Sequence, residues 1–298
     1  MTPTERRSRK WIWYTLYGIL LTIVLLYYRF PDDAFEDYVQ GLVHGISSDL
    51  LFSFDGVSLS FPPGVSLHAP KISTAQRPGK VIALAESLLI RPKIWSLLKG
   101  DPEYRIESRA YGGDIAGSIR MIKRDTGTTF SASIELNSIH LDERYPLPDI
   151  VSSNLKGILS GLITYSGMDQ SLIKGTGEAS LSLLNGSLVL TPPILRLKTI
   201  DFREIQLKMA LNNQKLSLSA GDLKGKDILA EASGSVSLNN ELLESRLNLR
   251  GTLEPLADLF KDIPDSREAV RFFKKNLKNG KLPFRILGTI SEPRIQFM

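Results

Sequence analysis

Three histidines, His44, His68 and His140, are the only imidazoles in the chain, and no two stand at a metal-ligand spacing such as H-x-x-x-H. His68 alternates in step with Ser66, which turns it toward solvent, and His140 falls at a strand end. The S-x-x-K spacing, which sets a nucleophile beside a lysine in penicillin-binding proteins, occurs at Ser96–Lys99, Ser153–Lys156 and Ser171–Lys174. Its companion elements S-D-N and K-T-G are missing, because Ser48-Asp49 runs into Leu50 and Lys198-Thr199 into Ile200. In a chain rich in serine and lysine these are chance spacings. No G-x-S-x-G elbow or P-loop occurs, and Gly175-Thr176-Gly177 opens a strand where a dinucleotide fingerprint would open a helix. Asp32, Asp33, Glu36 and Asp37 cluster at a predicted helix start, where negative charge favours the dipole, and read as solvated carboxylates. Cysteine is absent, so neither a thiol nor a disulfide is available. The expectation is no enzyme, no cofactor and no metal.

What the chain does encode first is an anchor. The eighteen residues from Trp11 to Tyr28 carry no charge and follow the basic run Arg6, Arg7, Arg9 and Lys10. As a helix they would be about 27 Å long, close to the hydrocarbon thickness of a bilayer. Leu20, Leu21, Val24 and Leu25 fill the middle, with Trp11 and Trp13 at one end and Tyr27 and Tyr28 at the other, the headgroup level that amphipathic rings prefer. A removable signal peptide would need small residues at a cleavage site, and the run continues instead into Arg29-Phe30-Pro31. A buried core helix would need a polar face, and Thr15, Gly18 and Thr22 do not make one. Basic residues stay on the cytoplasmic side, so residues 1–10 are expected there, 11–28 in the membrane and 30–298 across it.

The first ten residues hold four of the 37 basic groups and one of the 32 acidic ones, leaving 33 against 31 in the rest. That near balance has no basic patch with interleaved aromatics, so no nucleic-acid partner is expected. With no cysteine on the side of a membrane that permits disulfides, the body must hold together by burial and sheet pairing alone.

Beyond residue 50 the hydrophobic period is two. Val57, Leu59 and Phe61 alternate with serines, turn at Pro62-Pro63-Gly64, and resume as Val65, Leu67 and Ala69. Similar runs surround Gly112-Gly113, Asn185-Gly186, Asn212-Asn213 and Asn239-Asn240, dipeptides that tolerate the positive φ of tight hairpins. Helices are expected over 30–49, 92–98, 148–156 and 265–277, and a last strand runs from Leu282 to Ile290. The predicted fold is mainly β: a transmembrane helix, then a long antiparallel meander with few short helices. Strands with one apolar face and so little to cover it must pack face to face or curl into a groove that meets lipid or a partner.

The basic arm, the single anchor, the F-P-P-G-V hairpin (Phe61 to Val65), A-Y-G-G-D-I-A-G-S (Ala110 to Ser118), L-K-G-I-L-S-G (Leu155 to Gly161) and the closing G-T-I-S-E-P (Gly288 to Pro293) together resemble the N component of the bacterial type II secretion system (GspN). More distantly, the layout is similar to AsmA-type proteins of the Gram-negative envelope. The first likeness implies a single-pass inner-membrane protein with a periplasmic β-rich domain, contacting other secretion components without catalysing anything. The second implies a curled sheet that holds lipid acyl chains.

Overall fold

The computed structural model describes residues 50–256 and 277–298, apart from 61–62, 75–76, 125–126, 143–154, 169–171 and 195–196, together with positions 11–18, 20–22, 25 and 37. The first part of the body comprises β1 (Leu50–Ser53), β2 (Gly56–Ser60), β3 (Gly64–His68), β4 (Lys71–Thr74), β5 (Arg77–Leu84), β6 (Ser87–Pro92), the helix α1 (Ile94–Leu98), β7 (Glu103–Ala110), β8 (Gly113–Arg124) and β9 (Gly127–Leu141). Longer strands follow: β10 (Leu155–Met168), β11 (Thr176–Ile194), β12 (Leu197–Asn212), β13 (Lys215–Gly225), β14 (Ile228–Ser237), β15 (Arg246–Pro255), β16 (Leu282–Thr289) and β17 (Pro293–Phe297). Fourteen of them form one antiparallel sheet whose spatial order follows the chain from β2 to β17. The one excursion is β4 and β5, which leave between β3 and β6 and pair with β1 in a separate three-stranded sheet.

A meander of this kind follows from local signals. Two-residue loops at Tyr111-Gly112 and Asn213-Gln214 put both central residues at positive φ, the backbone twist that suits a tight hairpin. Both lie one residue away from the dipeptides the sequence pointed to. Asn185-Gly186 is a clearer correction: β11 runs straight through it. Asn185 takes φ 49° as a bulge, because β10 and β12 flank β11 on both sides and hold it in the ladder. Leu188 then pairs with Leu155, five residues beyond Leu183 against four on β10, so the extra residue keeps both leucines on one face.

A second bulge at Asn137-Ser138 does the same for β9: Leu136 opposes Gly161, Ile139 opposes Leu159, and Ser138 takes φ 55°. Without these two bulges every side chain beyond them would change face. The expected helix over 148–156 is corrected at its end, where Leu155 and Lys156 already belong to β10. Residues 242–244 make a 3-10 turn where a strand was expected. The chain does not stop at β16 either, since a turn at Ser291-Glu292, with Thr289 Oγ1 accepting the Glu292 N–H, returns it as β17. The helices expected over 30–49 and 265–277 lie outside the described residues, apart from Asp37, which is helical, and Leu277, which is not.

Candidate functional site

Directly opposed residues of an antiparallel pair share a face, so the register assigns each side chain to one side of the sheet. From β2 to β17 one side is apolar without a break: Val57, Leu67, Ile90, Ile106, Ile119, Ile134, Ile163, Leu181, Leu207, Leu218, Ala232, Leu249, Ile286 and Ile295 can be traced from strand to strand. No charged residue stands among them. At about 4.8 Å per strand the face is roughly 60 Å wide.

Burial on this face is uneven. Leu67, Ala110, Ile139, Leu141, Phe202, Ile228 and Leu282 are buried, and all lie toward the end of the sheet at which β2 begins. Phe202 stands over Gly186, where an added Cβ would meet its ring at 2.5 Å and the Lys156 carbonyl still closer. It packs with Ile139, Leu141 and Leu183 into the larger cluster. Toward the opposite end most apolar side chains are only partly buried and Met121 is exposed; Val236 is the exception. There Tyr165 lies against Phe130, ring centroids 5.3 Å apart, and burial pushes its phenol above the usual range. Among the described residues no helix packs across this face.

The other side carries serines, threonines and charges. Opposed pairs supply three of its ion pairs, Arg120–Glu103 at 2.9 Å, Lys224–Glu204 at 2.8 Å and Arg109–Asp114 at 3.5 Å, with Lys93 also reaching Glu103 at 3.3 Å and the diagonal pair Arg91–Glu107 at 3.1 Å. Hydrogen bonds from Arg120 and then Lys93 hold the Glu103 carboxyl below its ordinary value of 4.5, and Lys224 followed by Gln206 does the same for Glu204. A depressed carboxyl contributes above its unfolded-state value and stops contributing as pH falls through the folded one, so both pairs are intact at neutral pH. Arg120→Gln is expected to return the Glu103 carboxyl upward toward that ordinary value. An NMR titration of its side-chain carboxyl carbon would follow the shift, and an unmoved midpoint would show Lys93 alone to be sufficient.

The residues singled out for chemistry do not converge. His68 is exposed and faces Ser58 across the β2–β3 hairpin, Oγ to Nε2 3.4 Å, while His140 is near the end of β9. Among the described residues no three of the acidic and imidazole side chains gather as a metal site. Ser96, of the first S-x-x-K spacing, is fully engaged: its Oγ donates to the Lys93 carbonyl at 2.6 Å and accepts the Glu103 N–H at 2.9 Å. Ser153 and Ser171 lie outside the described residues.

Of the anchor positions, Trp11, Trp13, Leu20, Leu21 and Leu25 are helical and exposed. Thr15 and Thr22 return their hydroxyls to carbonyls four residues back, at 3.0 and 2.8 Å, so both threonine hydroxyls are spent inside the helix. Val24, Tyr27, Tyr28, Arg6, Arg7, Arg9 and Lys10 lie outside the described residues. Among those described, no helix is long and apolar enough to cross a membrane.

Sequence reasoning located α1 without seeing how it faces. Periodicity cannot reveal that, because five residues are too few to define a stripe. No protein-family model, curated protein or solved structure matches this chain.

Proposed function

We propose that this chain is a noncatalytic component of bacterial type II secretion. Residues 11–28 hold it in the inner membrane, Arg6, Arg7, Arg9 and Lys10 stay on the cytoplasmic side, and the β body works by contact in the periplasm. The resemblance to the N component suggests the system, and the open fourteen-stranded sheet supports the mode of action. Among the described residues β2 and β17 are sheet edges, each able to accept a strand from a secretion partner. Exposed Trp11, Trp13, Leu20, Leu21 and Leu25 fit a helix whose natural surroundings are apolar. Deleting the gene is expected to leave secreted proteins stranded in the periplasm, and supplying the chain in trans to release them. Fractionation of the deletion strain reads this directly, and normal secretion would refute the assignment.

A second reading is favoured by the unbroken apolar face: an AsmA-like module that holds lipid acyl chains. At the usual 20–25° per neighbouring pair, fourteen strands accumulate about 260–325° of twist, which a sheet this wide accommodates by curling. Curled toward its apolar side, the face becomes a groove in which each buried methylene is worth about 0.8 kcal/mol. The two readings are compatible in one molecule, since a secretion component can carry lipid.

A further inference from the structure

α1 is amphipathic in the wrong sense for water. Its one polar residue, Ser96, points inward, tying the helix to the backbone of Lys93 and Glu103. Its apolar residues point out: Trp95 is 75% exposed, Leu98 74%, Ile94 53% and Leu97 44%, and none of the five helix residues is buried. Four adjacent large apolar side chains held in solvent by a hydrogen-bonded frame need an apolar partner.

The surroundings indicate its chemistry. Lys93 and Lys99 bracket the helix, and Lys99 has no ion-pair partner among the described residues. Arg120 stands on the neighbouring β8. Asp101 and Glu103 are the nearby acids, and Glu103 is already shared between Lys93 and Arg120. Among the described residues beside the helix, Lys93, Lys99 and Arg120 therefore outnumber the acids Asp101 and Glu103 around an apolar tip. An indole beside lysines that can extend their ammonium groups outward is the composition of a membrane-surface contact. The helix joins β6 to β7 at the end of the sheet away from Gly56, and the eight residues of β7 put about 26 Å between it and the other end.

We infer that α1 seats on the surface of an anionic bilayer, with Trp95 and Leu98 below the headgroups and Lys99 at their level. This goes beyond the secretion reading and does not depend on it. The full chain carrying Trp11→Phe and Trp13→Phe keeps Trp95 as its only indole, because the sequence has three tryptophans. Held in neutral nanodiscs, it is mixed with phosphatidylglycerol-containing vesicles whose acyl chains are brominated. Trp95 emission is expected to shift to the blue and be quenched. Leu98→Asp, at an exposed position that does not threaten the fold, should weaken vesicle binding about 10- to 100-fold, the equivalent of losing one buried leucine. Emission that stays at the solvent-exposed wavelength overturns the inference. So does a blue shift without quenching, which would mean that α1 docks on protein.

Discussion

Phe202→Ala is expected to lower the free energy of unfolding by about 3–5 kcal/mol. The ring is 4% exposed and joins Ile139 and Leu141 of β9 to Leu183 of β11, so its loss opens a cavity under three strands at once. The space cannot be refilled from Gly186, which has no side chain to move. A domain stable by about 5–15 kcal/mol would lose a large share of that stability. Urea denaturation followed by far-ultraviolet circular dichroism measures the change. Leu162→Ala makes the comparison, because that side chain is 47% exposed on the polar face, and about 0.5 kcal/mol or less is expected. Equal losses at the two positions would mean that the buried cluster does not hold this end of the sheet.

The alternation along β12 was legible in the sequence, but the place of Phe202 was not: it stands three residues from Ile205, out of phase, and reaches the apolar side only through the register irregularity between Phe202 and Glu204. Ile205, Leu207, Met209 and Leu211 alternate with polar residues, and the structure puts them all on the apolar side. Less legible was how the face survives strands of 15 and 19 residues. Asn185-Gly186 reads as a hairpin turn in isolation, since asparagine tolerates positive φ equally well in a turn and in a bulge. Only the hydrogen-bonding partners on both flanks decide between them, and those lie far off in the sequence. For the same reason the excursion of β4 and β5 could not be read: pairing with β1 is a long-range choice. Outward display of Trp95 was hidden because the determinant is where the Ser96 hydroxyl points, a matter of two hydrogen bonds.

The strongest test of the apolar face places a charge at its centre. Leu207 opposes Leu181 on one side and Gly221 on the other, over which its methyl group extends. Leu207→Asp puts a carboxylate where an acyl chain would lie, and stripping water from an unpaired charge costs several kcal/mol. That cost exceeds the gain from several methylenes at about 0.8 kcal/mol each, so a chain crossing this point should not stay. Lys208→Asp adds a carboxylate one residue away, on the polar side, where it stays solvated. In cells fed a photoactivatable fatty acid, crosslinks to the intact protein should map to peptides of the apolar face. They should fall at least tenfold in Leu207→Asp and hold steady in Lys208→Asp, the fold being checked by denaturation in both. Crosslinks that survive Leu207→Asp, or that vanish equally in both variants, would remove lipid from this face and leave it to a protein partner. The one-residue offset makes this decisive, because adjacent side chains of a strand share a backbone but stand on opposite faces, so the two carboxylates test one face against the other.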